Sequence, residues 1–316
     1  MIDGNHGSRH CNIASALNLA AAFAAGALGL ARGSRMRRRV SLVCLGALIA
    51  SFPARAADPD PDPERSEIWI KIKASLFANR AVNSNSKEVI QLEVPTRAED
   101  AATVPISIKT RLPQSTDAFI KKIYLIIDKN PSPIGAVFHL TPDTGRADLE
   151  TRIRIEEYSH IRVIAEMNDG RLFMSSRYIK ASGGCSAPAG KDRAAALARL
   201  GKMRIRLDNE VTYHRPNLAQ LMISHPNDSG LAMDQLTRFY VPAYFVRNIS
   251  VTFAGKPILT AEVDFSISEN PNFRFYFVPR GPGELKAEVL DTKELRFDSS
   301  IEIRSPATTP SRTRGN

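Results

Sequence analysis

The stretch Ile161-Arg162-Val163-Ile164-Ala165-Glu166-Met167-Asn168-Asp169-Gly170-Arg171-Leu172-Phe173-Met174-Ser175-Ser176-Arg177-Tyr178-Ile179 reads as two strands around a turn. Ile161, Val163, Ala165 and Met167 recur at every second position, the period at which side chains of an extended chain share a face. Asn168-Asp169-Gly170 supplies residues that tolerate the positive φ of a tight turn, and a return strand runs through Leu172 to Ile179. The same period extends upstream. Val104, Ile106 and Ile108 share a face, as do Ala136, Phe138 and Leu140, and then Leu149, Thr151, Ile153 and Ile155, while Ile123 to Ile127 is a continuous apolar run. Ile68, Ile70 and Ile72 alternate with Trp69, Lys71 and Lys73, which predicts a strand there too. Short strands at this spacing predict a β-sandwich over residues 66–180.

The pattern breaks at Ala181-Ser182-Gly183-Gly184-Cys185-Ser186-Ala187-Pro188-Ala189-Gly190, which is small and non-periodic. Asp192 is placed to cap a short helix over 193–200 that Gly201 stops, so residues 181–202 read as a Cys-bearing loop and linker helix. A second β region occupies 203–305. Leu221 to Pro226 ends in a loop, a hairpin turns at Ala254-Gly255-Lys256, and Phe273, Phe275 and Phe277 share one face. Gly281-Pro282-Gly283 then turns the chain into Glu284–Leu290, and Leu295 to Arg304 closes the domain. The expected fold is all-β: two immunoglobulin-like sandwiches in tandem, joined by a Gly-rich loop and a short helix. Residues 57–65, Pro- and Asp-rich, read as a spacer unable to form helix or ladder; residues 306–316 read as a disordered tail.

Of 316 residues, 43 are Lys or Arg and 33 Asp or Glu, for a net charge of +10. Seven of the basic residues and one acid fall within residues 1–56, leaving 36 against 32 in the body. More than half of the excess therefore sits in the leader, the body is close to balanced, and a nucleic-acid partner is not expected. In the body, charges alternate with apolar residues, as in Glu150-Thr151-Arg152-Ile153-Arg154-Ile155-Glu156, which reads as solvated strand faces. Met36-Arg37-Arg38-Arg39, the apolar run Val40 to Phe52, and Ala54-Arg55-Ala56 form the three parts of a secretory signal over 36–56, with cleavage near Ala56. Residues 1–35 read as a spurious N-terminal extension. The apolar run is shorter than the roughly 20 residues a membrane span needs, so export to the periplasm without a stable membrane anchor is expected.

Catalytic signatures are missing from the residues. There is no G-x-S-x-G, no phosphate-binding loop, no G-x-G-x-x-G after a strand and no C-x-x-C. His139, His160, His214 and His225 lie far apart, without zinc-ligand spacing. No enzyme, cofactor or metal site is expected, and His139, opposite Phe138 and Leu140, reads as exposed. Cys185 remains. Of Cys11, Cys44 and Cys185, it alone lies beyond the leader, so no internal disulfide is available to the mature chain. Gly183 and Gly184 before it predict a mobile, solvent-accessible thiol, with Lys180, Lys191 and Arg193 lowering its pKa modestly. Residues alone leave two readings open: a reactive arm, or a linker cysteine without a role.

Three stretches of the first region, Ile123-Tyr124-Leu125-Ile126-Ile127-Asp128-Lys129-Asn130-Pro131-Ser132-Pro133, Ala136-Val137-Phe138-His139-Leu140 and Arg152-Ile153-Arg154-Ile155, followed by Gly183-Gly184-Cys185, resemble SoxY, the sulfur-carrier subunit of bacterial sulfur oxidation. Met222-Ile223-Ser224-His225-Pro226, Ser229-Gly230-Leu231, Val241-Pro242-Ala243-Tyr244-Phe245 and Asn270-Pro271 resemble its partner SoxZ. The order matches fused SoxYZ-like carriers associated with quinoprotein dehydrogenases. The resemblance implies that Cys185 is the site of covalent sulfur attachment, flanked by the swinging-arm residues Gly183 and Gly184. It implies that the two sandwiches pair within the chain, and that partners are periplasmic sulfur-metabolising or quinoprotein (PQQ) alcohol or methanol dehydrogenase enzymes. The alternative is a non-covalent adaptor for such a dehydrogenase, with the cysteine incidental. Two features depart from the family: Ser186 stands where a glycine is expected, and the arm is tethered at both ends, which shortens its expected reach.

Overall fold

Ser66 begins a helix where the isoleucines predicted a strand. Its side chain accepts a hydrogen bond from the Trp69 N–H at 3.3 Å, satisfying one of the free donors of a first helical turn. Trp69, Ile72, Leu76 and Phe77 then fall on one face at helical spacing and pack on a sheet, while Ile70 is exposed. The period-two isoleucines misled because the large aromatics, not the isoleucines, carry the buried stripe.

The structure, a computed structural model, describes residues 61–304 apart from positions 79, 85, 189–192 and 236. The leader and its cleavage site, the first residues of the spacer, Asp192 and the tail lie outside the described residues. In chain order the elements are α1 (Glu67–Phe77), β1 (Val82–Asn83), β2 (Ile90–Glu93), β3 (Val104–Thr110), β4 (Ile120–Ile127), β5 (Ile134–Leu140), β6 (Leu149–Ile153), β7 (Ser159–Met167), β8 (Leu172–Ile179), α2 (Arg193–Ala198), β9 (Met203–Leu207), β10 (Asn217–Ile223), β11 (Val246–Phe253), β12 (Lys256–Val263), β13 (Asn272–Phe277), β14 (Gly283–Asp291) and β15 (Arg296–Ile303). The helix at α1 replaces an expected strand and the short strands β1 and β2 were not anticipated; most other strands fall where alternation places them, and the fold is two tandem β-sandwiches of immunoglobulin-like type.

The sandwiches are fused through their sheets. One sheet runs β1-β8-β7-β4-β5-β12-β11-β14-β15 and the other β2-β3-β6-β13-β10-β9, so each contains strands from both halves. The junction in the larger sheet is the antiparallel β5–β12 pair, in register from Leu140 opposite Leu259 to Ala136 opposite Val263. In the smaller sheet β6 and β13 meet at only one registered pair, Glu150 opposite Arg274. Between the sheets lies one apolar core from Ile90 to Ile303, and Phe138 of β5 meets Phe273 of β13 edge to face across it, at 6.1 Å.

β7 is buried along its whole length because both faces are covered: the shared core lies on one side and α1 on the other. Under α1, the wholly buried Arg162 donates to Asp128 through Nε (2.7 Å) and Nη2 (2.6 Å), and Nη2 also donates to the Pro63 carbonyl. Its guanidinium lies 4.6 Å from the centre of the Trp69 ring. The spacer's end is therefore structured after all. Pro63–Arg65 form a 3₁₀ turn, pinned through backbone carbonyls that the Pro/Asp composition did not reveal. Removing the carboxylate in Asp128→Asn strands a buried cation, and is expected to cost about 3–5 kcal/mol. Phe138→Ala should cost about the same through its cavity. Because Phe138 stands in a core common to both halves, calorimetry should show one transition shifting down. Two separately moving transitions would contradict the shared core.

Candidate functional site

After β8 the chain docks against the segments that follow β2 and β6. Lys180 N–H donates to the Thr96 carbonyl, Gly183 N–H to Glu156 O (2.8 Å) and Gly184 N–H to Ile155 O (2.8 Å). A Cβ on Gly184 would stand 2.0 Å from the Ala101 carbonyl oxygen, so glycine is required by close packing. Gly183 has φ +81°, with open space around it, and turns the chain. The glycines thus seat the loop; the expectation that they make a bare, mobile platform is corrected.

The Glu156 carboxylate completes the clamp. Oε2 accepts from Cys185 N–H (2.9 Å) and Ser186 N–H (3.1 Å), and Oε1 accepts from the Ser186 hydroxyl (2.8 Å). From the other half, the Ser229 hydroxyl donates to the Cys185 carbonyl. Cys185 is 1% exposed, which overturns the expectation of an accessible thiol. It nevertheless belongs to neither apolar cluster. It lines a cavity of about 210 Å³ at the junction, walled by Asp100, Thr103 and Arg154 from the first half and by Pro226, Asp228, Ser229, Ala232 and Glu269 from the second.

Burial pushes the Cys185 thiol up to about 12, and the charges of Glu156 and Asp264 push the same way against Arg154. The expected lowering by Lys180, Lys191 and Arg193 is not what the site shows. Arg193 is instead paired with Asp228 at 2.8 Å, and Lys191 lies outside the described residues.

Arg154, expected on a solvated strand face, is buried. β6 ends at Ile153, so Arg154 leaves the alternation and turns inward. Its Nη1 donates to the carbonyls of Asn227 (2.7 Å), Phe265 (3.0 Å) and Ile267 (2.9 Å), all in the second half. Burial pulls its pKa below the ordinary guanidinium value, while Cys185, Glu269, Asp228 and Asp100 pull it back. The motif residues converge here. Asn130 holds the Arg154 carbonyl and the Glu156 N–H through its amide. On the other side Asn227, at φ +49°, is fixed by His225 Nδ1, by Val246 N–H and by the Ile267 carbonyl. His225 is wholly buried, and desolvation lowers its pKa against the opposing charge of Asp291. Its ring accepts at Nδ1, so it serves the loop's shape. His139 is half-buried and lies 3.3 Å from Glu262. No group of three or more His, Cys, Asp and Glu among the described residues is placed to hold a metal, and no described helix is long and apolar enough to cross a membrane.

Family models match the two halves in turn: sulfur oxidation protein SoxY over residues 73–185, and sulphur oxidation protein SoxZ over 205–302. The chain is a fused SoxYZ-like protein. The SoxY match ends on Cys185, the residue at the junction cavity, and the cavity is walled by both family domains. The sulfur carrier protein SoxY from Chlorobium limicola f thiosulfatophilum aligns at 25% identity over 35% of this chain and 89% of its own, with TM-score 0.30. A superoxide reductase (neelaredoxin) from Ignicoccus hospitalis aligns at 15% over 29% and 79%, with TM-score 0.26. The fibronectin(III)-like modules of Clostridium thermocellum CbhA align at 11% over 67% and 93%, with TM-score 0.21. No curated protein matches the chain.

Iodoacetamide should therefore label Cys185 far more slowly in the native protein than in urea. Glu156→Ala removes three accepted hydrogen bonds, and should speed native labelling by at least about tenfold, since the loss of even one charged bond costs roughly 1.5–3 kcal/mol. The pH dependence has a definite sign. A thiol whose docked pKa is raised stabilises docking below its ordinary pKa and loses that stabilisation as pH climbs toward about 12. Native labelling should keep rising above pH 9, where the rate in urea levels off near the ordinary thiol pKa of about 8.5. A native profile that levels off with the unfolded one would show that the thiol is not docked.

Proposed function

We propose that this SoxYZ-like protein is a periplasmic, non-catalytic carrier that holds a sulfur intermediate covalently on Cys185 and releases its loop to partner enzymes. The observation carrying this reading is the position of Cys185. It ends the SoxY-matched stretch, lines a cavity shared by both family domains, and is held by hydrogen bonds rather than by an apolar core. A cavity of about 210 Å³ exceeds the roughly 10–15 Å³ that one water requires, so an added sulfur fits beside the thiol.

Loading proceeds by exchange. In the undocked loop the Cys185 thiolate attacks the outer sulfur of a persulfide held by a partner. The new Cys185 S–S bond forms as the partner's S–S bond breaks, and the partner leaves as a thiol with the proton. The sulfane sulfur moves without an external oxidant. The partners are periplasmic sulfur-metabolising enzymes, and the family's association extends the proposal to a quinoprotein (PQQ) alcohol or methanol dehydrogenase system.

Burial of the thiol favours a second reading, a non-covalent adaptor for such a dehydrogenase with Cys185 structural. Intact-mass measurement on protein recovered from the periplasm separates them. The carrier reading expects an adduct of about 32 Da per sulfane sulfur, abolished in Cys185→Ser and removed by dithiothreitol. An unmodified chain under sulfur-oxidising and alcohol-oxidising growth alike would sink the carrier and leave the adaptor. Because a cavity-lining thiol contributes little packing, Cys185→Ser should remain folded, with a stability change of about 1 kcal/mol or less.

A further inference from the structure

The connection between β10 and β11 folds back on itself as a hairpin. Asp228 and Tyr244 exchange backbone hydrogen bonds at 2.7 and 3.0 Å, and Val241 N–H donates to the Ala232 carbonyl. Its tip is stapled by Asp234. That side chain accepts from the Thr237 N–H (2.7 Å) and hydroxyl (2.9 Å), and its backbone meets Phe239 and Arg238. Asp228, Ser229 and Ala232 at the base wall the Cys185 cavity, and Ser229 holds the Cys185 carbonyl. Phe239 and Tyr240 at the tip are 77% and 62% exposed, the two most exposed large apolar side chains among the described residues. Arg238 beside them is exposed and makes no ion pair among the described residues.

We infer that this hairpin tip is where a partner enzyme seats when it processes Cys185; the inference rests on the carrier reading. Aromatic and Arg side chains are the residues that most often carry interface energy, and here the turn holds their backbone beforehand, which lowers the backbone entropy lost on docking. The partner it fits is a protein with an apolar depression, for Phe239 and Tyr240, rimmed by carboxylate to meet Arg238. A bilayer is a poorer match, since peripheral binding to anionic lipid draws on several basic residues and the tip offers one. A second copy docking the tips by two-fold symmetry would set Arg238 against its own mate. One element thus serves both ends of the event: its tip receives the enzyme while its base holds the cysteine loop.

The test compares the full-length protein with Phe239→Ser/Tyr240→Ser and with Arg238→Glu, each expressed in the native host and recovered for intact-mass analysis. Expected is an adduct on the wild type, with occupancy reduced by about tenfold in the double variant and several-fold in Arg238→Glu, in line with losing interface anchors. Iodoacetamide labelling of Cys185 and the melting temperature should match wild type, so that lost loading reports lost docking. Loading equal to wild type in both variants would overturn the inference while leaving the carrier standing. An absence of adduct on the wild type would overturn the carrier reading and this inference with it. Wild-type self-association by light scattering, or sedimentation with phosphatidylcholine/phosphatidylglycerol vesicles, abolished in the double variant, would assign the tip to another occupant and overturn it as well.

Discussion

The β5–β12 ladder is the constraint on which the remaining structure depends. Two sandwiches that only touched could slide or separate. Backbone hydrogen bonds across a sheet hold them in one register, from Ala136 opposite Val263 to Leu140 opposite Leu259, and a one-residue slip would turn every apolar side chain to the wrong face. In the opposite sheet the halves meet through Glu150 opposite Arg274 and Ile153 opposite Ile267, with the Arg154 N–H donating to the Ser266 carbonyl and the Ser268 N–H to the Arg152 carbonyl. Beyond these bonds the chain leaves β6 at the seam between the halves. Arg154 enters the second half, Glu156 is left to receive the cysteine loop, and the junction cavity opens between them.

The electrostatics of this cavity favour a quiet thiol. Glu156 and Asp264 oppose a thiolate, Arg154 favours it, and burial outweighs them all. Thiolate, not thiol, is the species that oxidises and exchanges. A docked Cys185 thiol is thus shielded from oxidation and exchange. Under the proposed carrier function, reactivity is set by how often the loop leaves its seat, where the hydrogen bonds to Glu156 hold it, rather than by a permanently lowered pKa.

Much of the fold was legible because apolar alternation is a local signal. Phe273, Phe275 and Phe277 lie on the buried face of β13 as their spacing predicts, and Val246–Phe253 and Lys256–Val263 form the hairpin around Ala254-Gly255. The helix at Glu67–Phe77 was missed because three isoleucines counterfeit a period of two, while the burial of Trp69 depends on Arg162, almost a hundred residues away. Cys185 was legible as a candidate, but its environment was not. Gly183-Gly184 looks the same in sequence whether glycine is needed for freedom or for the approach of the Ala101 carbonyl. Glu156 and Arg154 were hidden in an alternating charged run. Only the end of β6 at Ile153, which no local residue announces, separates them from the solvated face.

The double attachment of the cysteine loop affects shape more than distance. From Ile179 to Cys185 is six residues, and from Cys185 to Arg193 is eight; fully drawn out, these arms measure roughly 20 and 27 Å. Under the proposed carrier function, the shorter arm sets how far Cys185 can reach, and a free tail would have the same one. What changes is that the loop leaves as a bight rather than as a rope's end, with two thicknesses of chain abreast, on the order of 10 Å across. A narrow tunnel that swallows a single strand end-on refuses such a bight. An enzyme served by the proposed carrier needs a cleft open along one side, wide enough to be entered broadside.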